Sequence, residues 1–307
     1  MRPGAAASQP PLFCPLPPHR GWTFSCPGPW PGAVPTDPGL PFVFMLIDKE
    51  QIRRRFERAA ATYDRQAVIQ ERVAAKLLAL LVVHGPAAPR RVLEIGCCTG
   101  LLTRQVLERC DTITDMVVND LVEGFRTRVL ERCGHLGATL GFLAGDIEEI
   151  PIPGRFDLVI SSSTFHWFHD LAGVLARLHR HLEQDGCLAF AMYGPDNLRE
   201  IRELTGIGLE YPDLDSLRAL VERHFTVLAC EERLETLVFA DPMAVLQHLR
   251  QTGVNVPAGA SWSRGRLARF ERDYGAMFAD GAGVRLSYHP MFVVARPRYA
   301  VGCRRLP

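Results

Sequence analysis

The residues best suited to chemistry cluster in VLEIGCCTG, Val92 to Gly100, where an apolar segment runs into a turn of small residues and then a helix beginning about Leu101. Small side chains at such a turn let the backbone approach a ligand at the carboxyl end of a strand. Asp120 comes 24 residues after Gly96, with Leu121 beside it, at the end of the next apolar run. A carboxylate there can accept hydrogen bonds from both hydroxyls of a ribose. Asp146, in AGDIEEIP with Ile147 next to it, closes a third run, and Ser162 ends a fourth. Taken singly, Gly100 reads as a turn residue, and Asp120 and Asp146 as helix caps or solvated acids. Their recurrence at successive strand ends is what points to a small-molecule site.

The elements that must position these residues are legible as periodicity. Strands are expected at Arg91–Ile95, Ile113–Asn119, Leu140–Ala144, Phe156–Ser161 and Gly186–Met192, with amphipathic stretches of helical spacing between most of them. Continuously apolar strands alternating with helices imply a doubly wound α/β fold with a mostly parallel sheet covered on both faces. Ahead of it, Asp48 and Gln51 form a capping box for a first helix, and a second helical stretch runs from about Gln66 to Val83 before His84-Gly85-Pro86 stops it. These two cover residues 45–89, and the main domain takes 90–296. Further strands are expected at Phe225–Ala229, Thr236–Phe239 and Tyr288–Ala295. Helices are expected at Asp241–Thr252, with Pro242 in the first turn, and at about Arg264 to Phe278. Insertions at about 194–223 and 253–285 are expected to cap the carboxyl edge, and 297–307 reads as a tail.

Composition narrows the partners. The first 44 residues hold 12 of the 23 prolines and only Arg2, Arg20 and Asp37 as charges, which reads as a disordered leader. Met45 resembles a natural start, with a transit peptide as the rival account of the leader. The remainder carries 33 basic and 33 acidic side chains, so bulk charge favours neither nucleic acid nor an anionic membrane. The apolar run Leu77 to Val83 is far short of the roughly 20 residues that span a bilayer. Nine cysteines with no CxxC pattern suggest reduced thiols and a cytoplasmic location.

The order Glu94, Gly96, Cys98, Gly100 departs from the GxGxxG of dinucleotide folds and resembles the first motif of class I S-adenosylmethionine-dependent methyltransferases, E/D-x-G-x-G-x-G. A narrower resemblance spans almost all of residues 45–295. RRRFERAAATYDRQAVIQ, GDIEEIP, FDLVISSSTFHWF, LEQDGCLAFAMYGPDNLREI, LQHLRQTGVN and LSYHPMFVVAR look like the malonyl-acyl-carrier-protein O-methyltransferases of biotin synthesis. The resemblance implies S-adenosylmethionine as cofactor. The glycine loop would lie against its methionine part, Asp120 would hold the ribose and Asp146 with Ile147 the adenine. It also implies a malonyl thioester of acyl carrier protein or coenzyme A as substrate, methylated on its free carboxylate, by an enzyme expected to be monomeric. Cys98 stands where the family has its middle glycine, which either crowds the cofactor or strains the turn. Rival readings are a class I enzyme acting on another small acid or oxygen nucleophile, and a cofactor-binding protein without turnover.

A malonyl carboxylate is ionised at pH 7 and needs no general base to attack a sulfonium methyl. What the site must supply is alignment, exclusion of water and a counter-charge. Lys49 and Lys76 are the only lysines, so an arginine is the expected clamp, with Arg199 and Arg202 as candidates. Tyr63 matches a tyrosine characteristic of the family and could face the substrate, as could Tyr288 and His289. Phe165 to Phe168, FHWF, either walls the pocket or packs in the core. Two arginine clusters, Arg53, Arg54, Arg55 and Arg58, and Arg264, Arg266, Arg269 and Arg272, are candidates for receiving an acidic carrier protein.

Overall fold

The computed structural model describes residues 43–44, 47–254 and 263–299. Most of the expected leader, with the unit Met1–Pro38, and the tail beyond residue 299 lie outside the described residues. The central sheet comprises β1 (Arg91–Ile95), β2 (Asp115–Asp120), β3 (Thr139–Ala144), β4 (Phe156–Ser162), β5 (Leu182–Tyr193), β6 (Phe225–Glu232) and, after β7 (Glu235–Phe239) and its antiparallel partner β8 (Gly283–Tyr288), which belong to a separate small sheet, β9 (Pro290–Pro297). Their spatial order is β3-β2-β1-β4-β5-β9-β6. The first five strands run parallel, and β9 is antiparallel to both neighbours.

Strands buried on both faces explain the unbroken apolar runs. Val92, Met116, Val118, Leu158 and Ile160 face one core with helices α3 (Val68–His84) and α4 (Leu101–Leu107). Leu93, Ile95, Val117 and Val159 face the other. The Asp48 side chain accepts the Gln51 N–H at 3.0 Å and caps α1 (Lys49–Ala59); α2 (Tyr63–Gln66) follows it. Helices α5 (Phe125–Cys133) and α6 (Leu171–Arg180) complete the alternation.

Two expectations change. The final strand is not continuous: β8 ends at Tyr288 in the small sheet with β7, while β9 starts at Pro290 in the main sheet. His289 is the hinge between them, followed by a proline with no N–H to donate. The segment 194–223 is also not wholly a cap. It contains α7 (Arg199–Thr205) and α8 (Leu214–Val221), but Leu217 and Val221 bury α8 in the second core. The cap instead draws on α7, α9 (Pro242–Gln251, N-capped by Asp241) and α10 (Arg264–Met277), which pack together. Val43–Phe44 pair in parallel with Ile207–Gly208. No helix among the described residues is long and apolar enough to cross a membrane.

Candidate functional site

The carboxyl ends of β1 to β4 open into a cavity of roughly 670 Å³. From the strand ends it is lined by Gly96, Cys98, Asp120, Leu121, Asp146, Ile147 and Ser162; α1 and α2 contribute Lys49, Ile52, Phe56 and Tyr63. Trp167 and Phe168, after β4, supply an aromatic wall. The FHWF run thus serves both purposes, because Phe165 is buried and stacks on Phe190 with ring centroids 4.4 Å apart.

The turn after β1 is built around a close approach. Gly96 has φ +74°, and a Cβ there would stand 2.0 Å from Thr164 Oγ1. Its N–H and that of Cys97 both donate to Asn119 O, at 2.8 and 3.0 Å, tying the turn to β2. Cys98 adopts φ +49°, the left-handed conformation that its glycine counterpart would take without strain. Its N–H donates to Asp120 Oδ2 at 2.8 Å, so the backbone of the motif is kept despite the side chain. Burial pushes its thiol pKa well up. Cys97 and Cys98 are both free thiols. Cys98→Gly should therefore relieve backbone strain worth about 1–2 kcal/mol, offset by about 0.4–1 kcal/mol of added chain entropy. A modest rise in the denaturation midpoint is the expected outcome; a fall would mean that the thiol's contacts outweigh the strain.

Asp120 is 8% exposed. Its Oδ1 accepts the Val122 N–H at 2.8 Å. Burial pushes its carboxyl up to about 6, against the lowering effect of the N–H groups of Val122, Cys98 and Leu121. Asp146 receives Lys49 Nζ at 2.7 and 2.9 Å, and Lys49 also pairs with Glu148. Burial acts to raise the Glu148 carboxyl, but Lys49 and the N–H groups of Asp170 and His169 outweigh it and hold it below its usual value. This lysine was not singled out by its spacing. It reaches its acids from a helix that otherwise carries surface ion pairs.

Other expected residues fall elsewhere. Glu94, 1% exposed, accepts from Thr103 Oγ1 at 2.7 Å and fastens β1 to α4 beneath the cavity. Burial pushes it up to about 8, which leaves it largely neutral at pH 7. Gly100, φ +81°, caps α4 and does not line the cavity. Tyr288 and His289, expected to face the substrate, are not among the lining residues. The Tyr288 hydroxyl is engaged by His248 Nε2 at 2.7 Å. His289 accepts the Asp196 N–H at Nδ1, 3.1 Å, and meets Glu232 through Nε2 at 3.0 Å, so both ring nitrogens are used in joining β8 and β9 to their neighbours. Of the two arginine clusters, that on α1 is largely spent on its own helix: Arg53 pairs with Glu50 and Glu57, and Arg54 with Glu50. On α10, Arg269 and Arg272 share Asp273, while Arg264 and Arg266 are exposed and make no ion pair among the described residues.

A nucleoside-type ligand fits this cavity on three counts. Asp120 offers a carboxylate at a strand end, Gly96 leaves no side chain between turn and cavity, and the buried Ser162 Oγ has no hydrogen-bond partner among the described residues.

Comparison with known proteins agrees with this geometry. Residues 93–190 match a family model described as a methyltransferase domain. The chain is 39% identical over 254 residues to a malonyl-acyl-carrier-protein O-methyltransferase of Chlorobium phaeovibrioides, covering 82% of this chain and 97% of that protein. A protein of the same name from Haemophilus influenzae is 36% identical over 252 residues, covering 81% and 95%. Among solved structures, a candidate methyltransferase from Bacillus halodurans C-125 superposes with a TM-score of 0.53 at 17% identity, over 72% of this chain and 98% of that one, which is a likeness of fold.

Proposed function

Because the chain belongs to the malonyl-acyl-carrier-protein O-methyltransferase family, we propose that its cavity binds S-adenosylmethionine and that it methylates the free carboxylate of a malonyl thioester, making the ester that primes pimeloyl chain growth in biotin synthesis. The observation that carries this reading is the cavity at the ends of β1 to β4, where Gly96, Asp120 and Asp146 converge in a chain alike to these enzymes along nearly their whole length.

When bound, the cofactor supplies an electrophilic methyl on a sulfonium. Asp120 would hold its ribose hydroxyls, Asp146 and Ile147 its adenine, and the Gly96–Gly100 turn its amino-acid end. Leu121 lies beside Asp120 on the same wall, and the unpartnered Ser162 hydroxyl is available to the ligand. A malonyl carboxylate is already ionised at pH 7, so no protein group has to take a proton from it. Accordingly, the protein's part is placement and drying. Ile52 and Phe56 of α1, together with Trp167 and Phe168, surround the cavity with apolar surface. Lys49 anchors α1 to Asp146 and Glu148 and so holds that wall in place.

Tyr63 is buried against the same cavity, with its hydroxyl pushed well above the ordinary phenol pKa by burial, so it stays a neutral hydrogen-bond donor. Tyr63→Phe is expected to lower turnover by about tenfold, the scale of one hydrogen bond, while leaving affinity for S-adenosylhomocysteine nearly unchanged. Equal turnover would remove its hydroxyl from the reaction. The reading as a whole is tested by mass spectrometry of malonyl-loaded carrier protein incubated with enzyme and S-adenosylmethionine. A gain of one methyl on the malonyl group is expected, and its absence would exclude this substrate.

A further inference from the structure

We propose that a second cavity, next to the first, holds the carboxylate-bearing acyl head of the substrate and that Arg202 is the cation that selects it; the assignment rests on the methyl-transfer reading above. This cavity, of roughly 440 Å³, shares Trp167 with the first and is bounded by Asn197, Arg202, Leu209 and Tyr211. It therefore adjoins the first cavity along Trp167.

Among the described lining residues each cavity has one cation. Lys49 is already held by Asp146 and Glu148. Arg202 makes no ion pair among the described residues. Its guanidinium donates to Pro195 O, and its aliphatic stem lies against the backbone of Gly208, where an added Cβ would stand 3.2 Å from Arg202 Cδ. The side chain is thus fixed from both ends, with most of its N–H donors unspent. The alternative clamp, Arg199, is drawn to the fully buried Glu200, with its Nε 3.7 Å from Oε1. The Tyr211 hydroxyl accepts from Asn197 Nδ2 at 3.1 Å, leaving its own proton as a second donor facing the same space. Leu209 and Ile207 supply apolar wall.

A planar guanidinium beside a phenol, over apolar wall, fits a short-chain carboxylate and disfavours a neutral acyl group, which would leave the arginine without its counter-charge. The same logic separates substrate from product. Methylation removes the negative charge, so the ester no longer satisfies Arg202, and binding favours the unmethylated acid.

With malonyl-coenzyme A as acceptor, Arg202→Gln should raise KM by about 10–100-fold, the scale of lost hydrogen bonds to a charged group, and Arg202→Lys should recover part of this. Affinity for S-adenosylhomocysteine should be unchanged in both, and Arg199→Gln should leave KM near the wild-type value. An unchanged KM in Arg202→Gln overturns the assignment. Phenylglyoxal labelling of the wild type, mapped by peptide mass, decides the matter without any variant. Malonyl-coenzyme A with S-adenosylhomocysteine should slow modification of Arg202 and not of Arg199, and no protection at Arg202 overturns the proposal. Failure of the wild type to methylate any malonyl thioester would instead overturn the methyl-transfer reading on which the proposal rests.

Discussion

Gly96→Ala is expected to remove cofactor binding and to destabilise the fold by about 2–5 kcal/mol. Two costs combine. A residue with a Cβ at φ +74° pays about 1–2 kcal/mol for the left-handed conformation. The new methyl would also stand 2.0 Å from Thr164 Oγ1, 2.7 Å from its Cγ2 and 2.8 Å from its Cβ; overpacking of this kind costs about 1–3 kcal/mol. Rotating Thr164 does not remove the clash with its Cβ, so the strand-end loop must move, and that loop continues into Trp167 and Phe168 on the cavity wall. Denaturant midpoints and calorimetry with S-adenosylhomocysteine would check both parts. Adding Thr164→Ala to Gly96→Ala should return the overpacking part only, leaving the conformational cost. A Gly96→Ala protein that binds the ligand like wild type would show that the turn does not approach it.

The sequence carries the sheet and the turn after β1 because their causes are local. Arg91–Ile95 has the bounds read from its apolar run, and the Asp48 and Asp241 caps appear where a side-chain oxygen precedes helical spacing. What could not be read depends on contacts between distant segments. Lys49 sits on a helix rich in i,i+3 and i,i+4 ion pairs and looks like part of a solvated face, yet its partner Asp146 is 97 residues away. Ile52 and Phe56 have the spacing of core residues, and periodicity cannot distinguish an apolar face turned to a core from one turned to a cavity. Tyr288 and His289 lie in one apolar stretch with Met291, and nothing in its alternation shows that the chain changes sheets at His289. Arg199 and Arg202 are equivalent in the sequence; the difference between them is the buried Glu200 near Arg199, a carboxylate held by Ser287 N and Oγ from a strand 87 residues away.

Asp120→Asn is expected to weaken binding of S-adenosylhomocysteine at pH 8 by about 1.5–3 kcal/mol, the usual scale for hydrogen bonds to a charged group, and the loss should shrink as the pH falls. The reason is the burial that raises this carboxyl to about 6. Ribose hydroxyls donate best to the ionised form, so wild-type affinity should be flat above pH 7 and drop about tenfold per unit below 6. Between pH 5 and 7 the ligand's α-carboxyl and α-amino groups keep their charge, which leaves Asp120 as the group being read. The same shift acts on the ligand-free fold with the opposite preference. An acid whose folded pKa lies above its unfolded value near 3.8 contributes stability that is complete below that value and is lost as the pH climbs through 6. Ligand then restores at neutral pH what ionisation removes, because the hydroxyls add donors to a buried charge that otherwise has only backbone N–H groups for partners. In Asp120→Asn both effects vanish: affinity becomes independent of pH over this range, and the ligand-free protein no longer weakens between pH 4 and 6 on account of this residue. Titrations from pH 5 to 8 on the two proteins would check this, and parallel pH profiles would move the ribose contact away from Asp120.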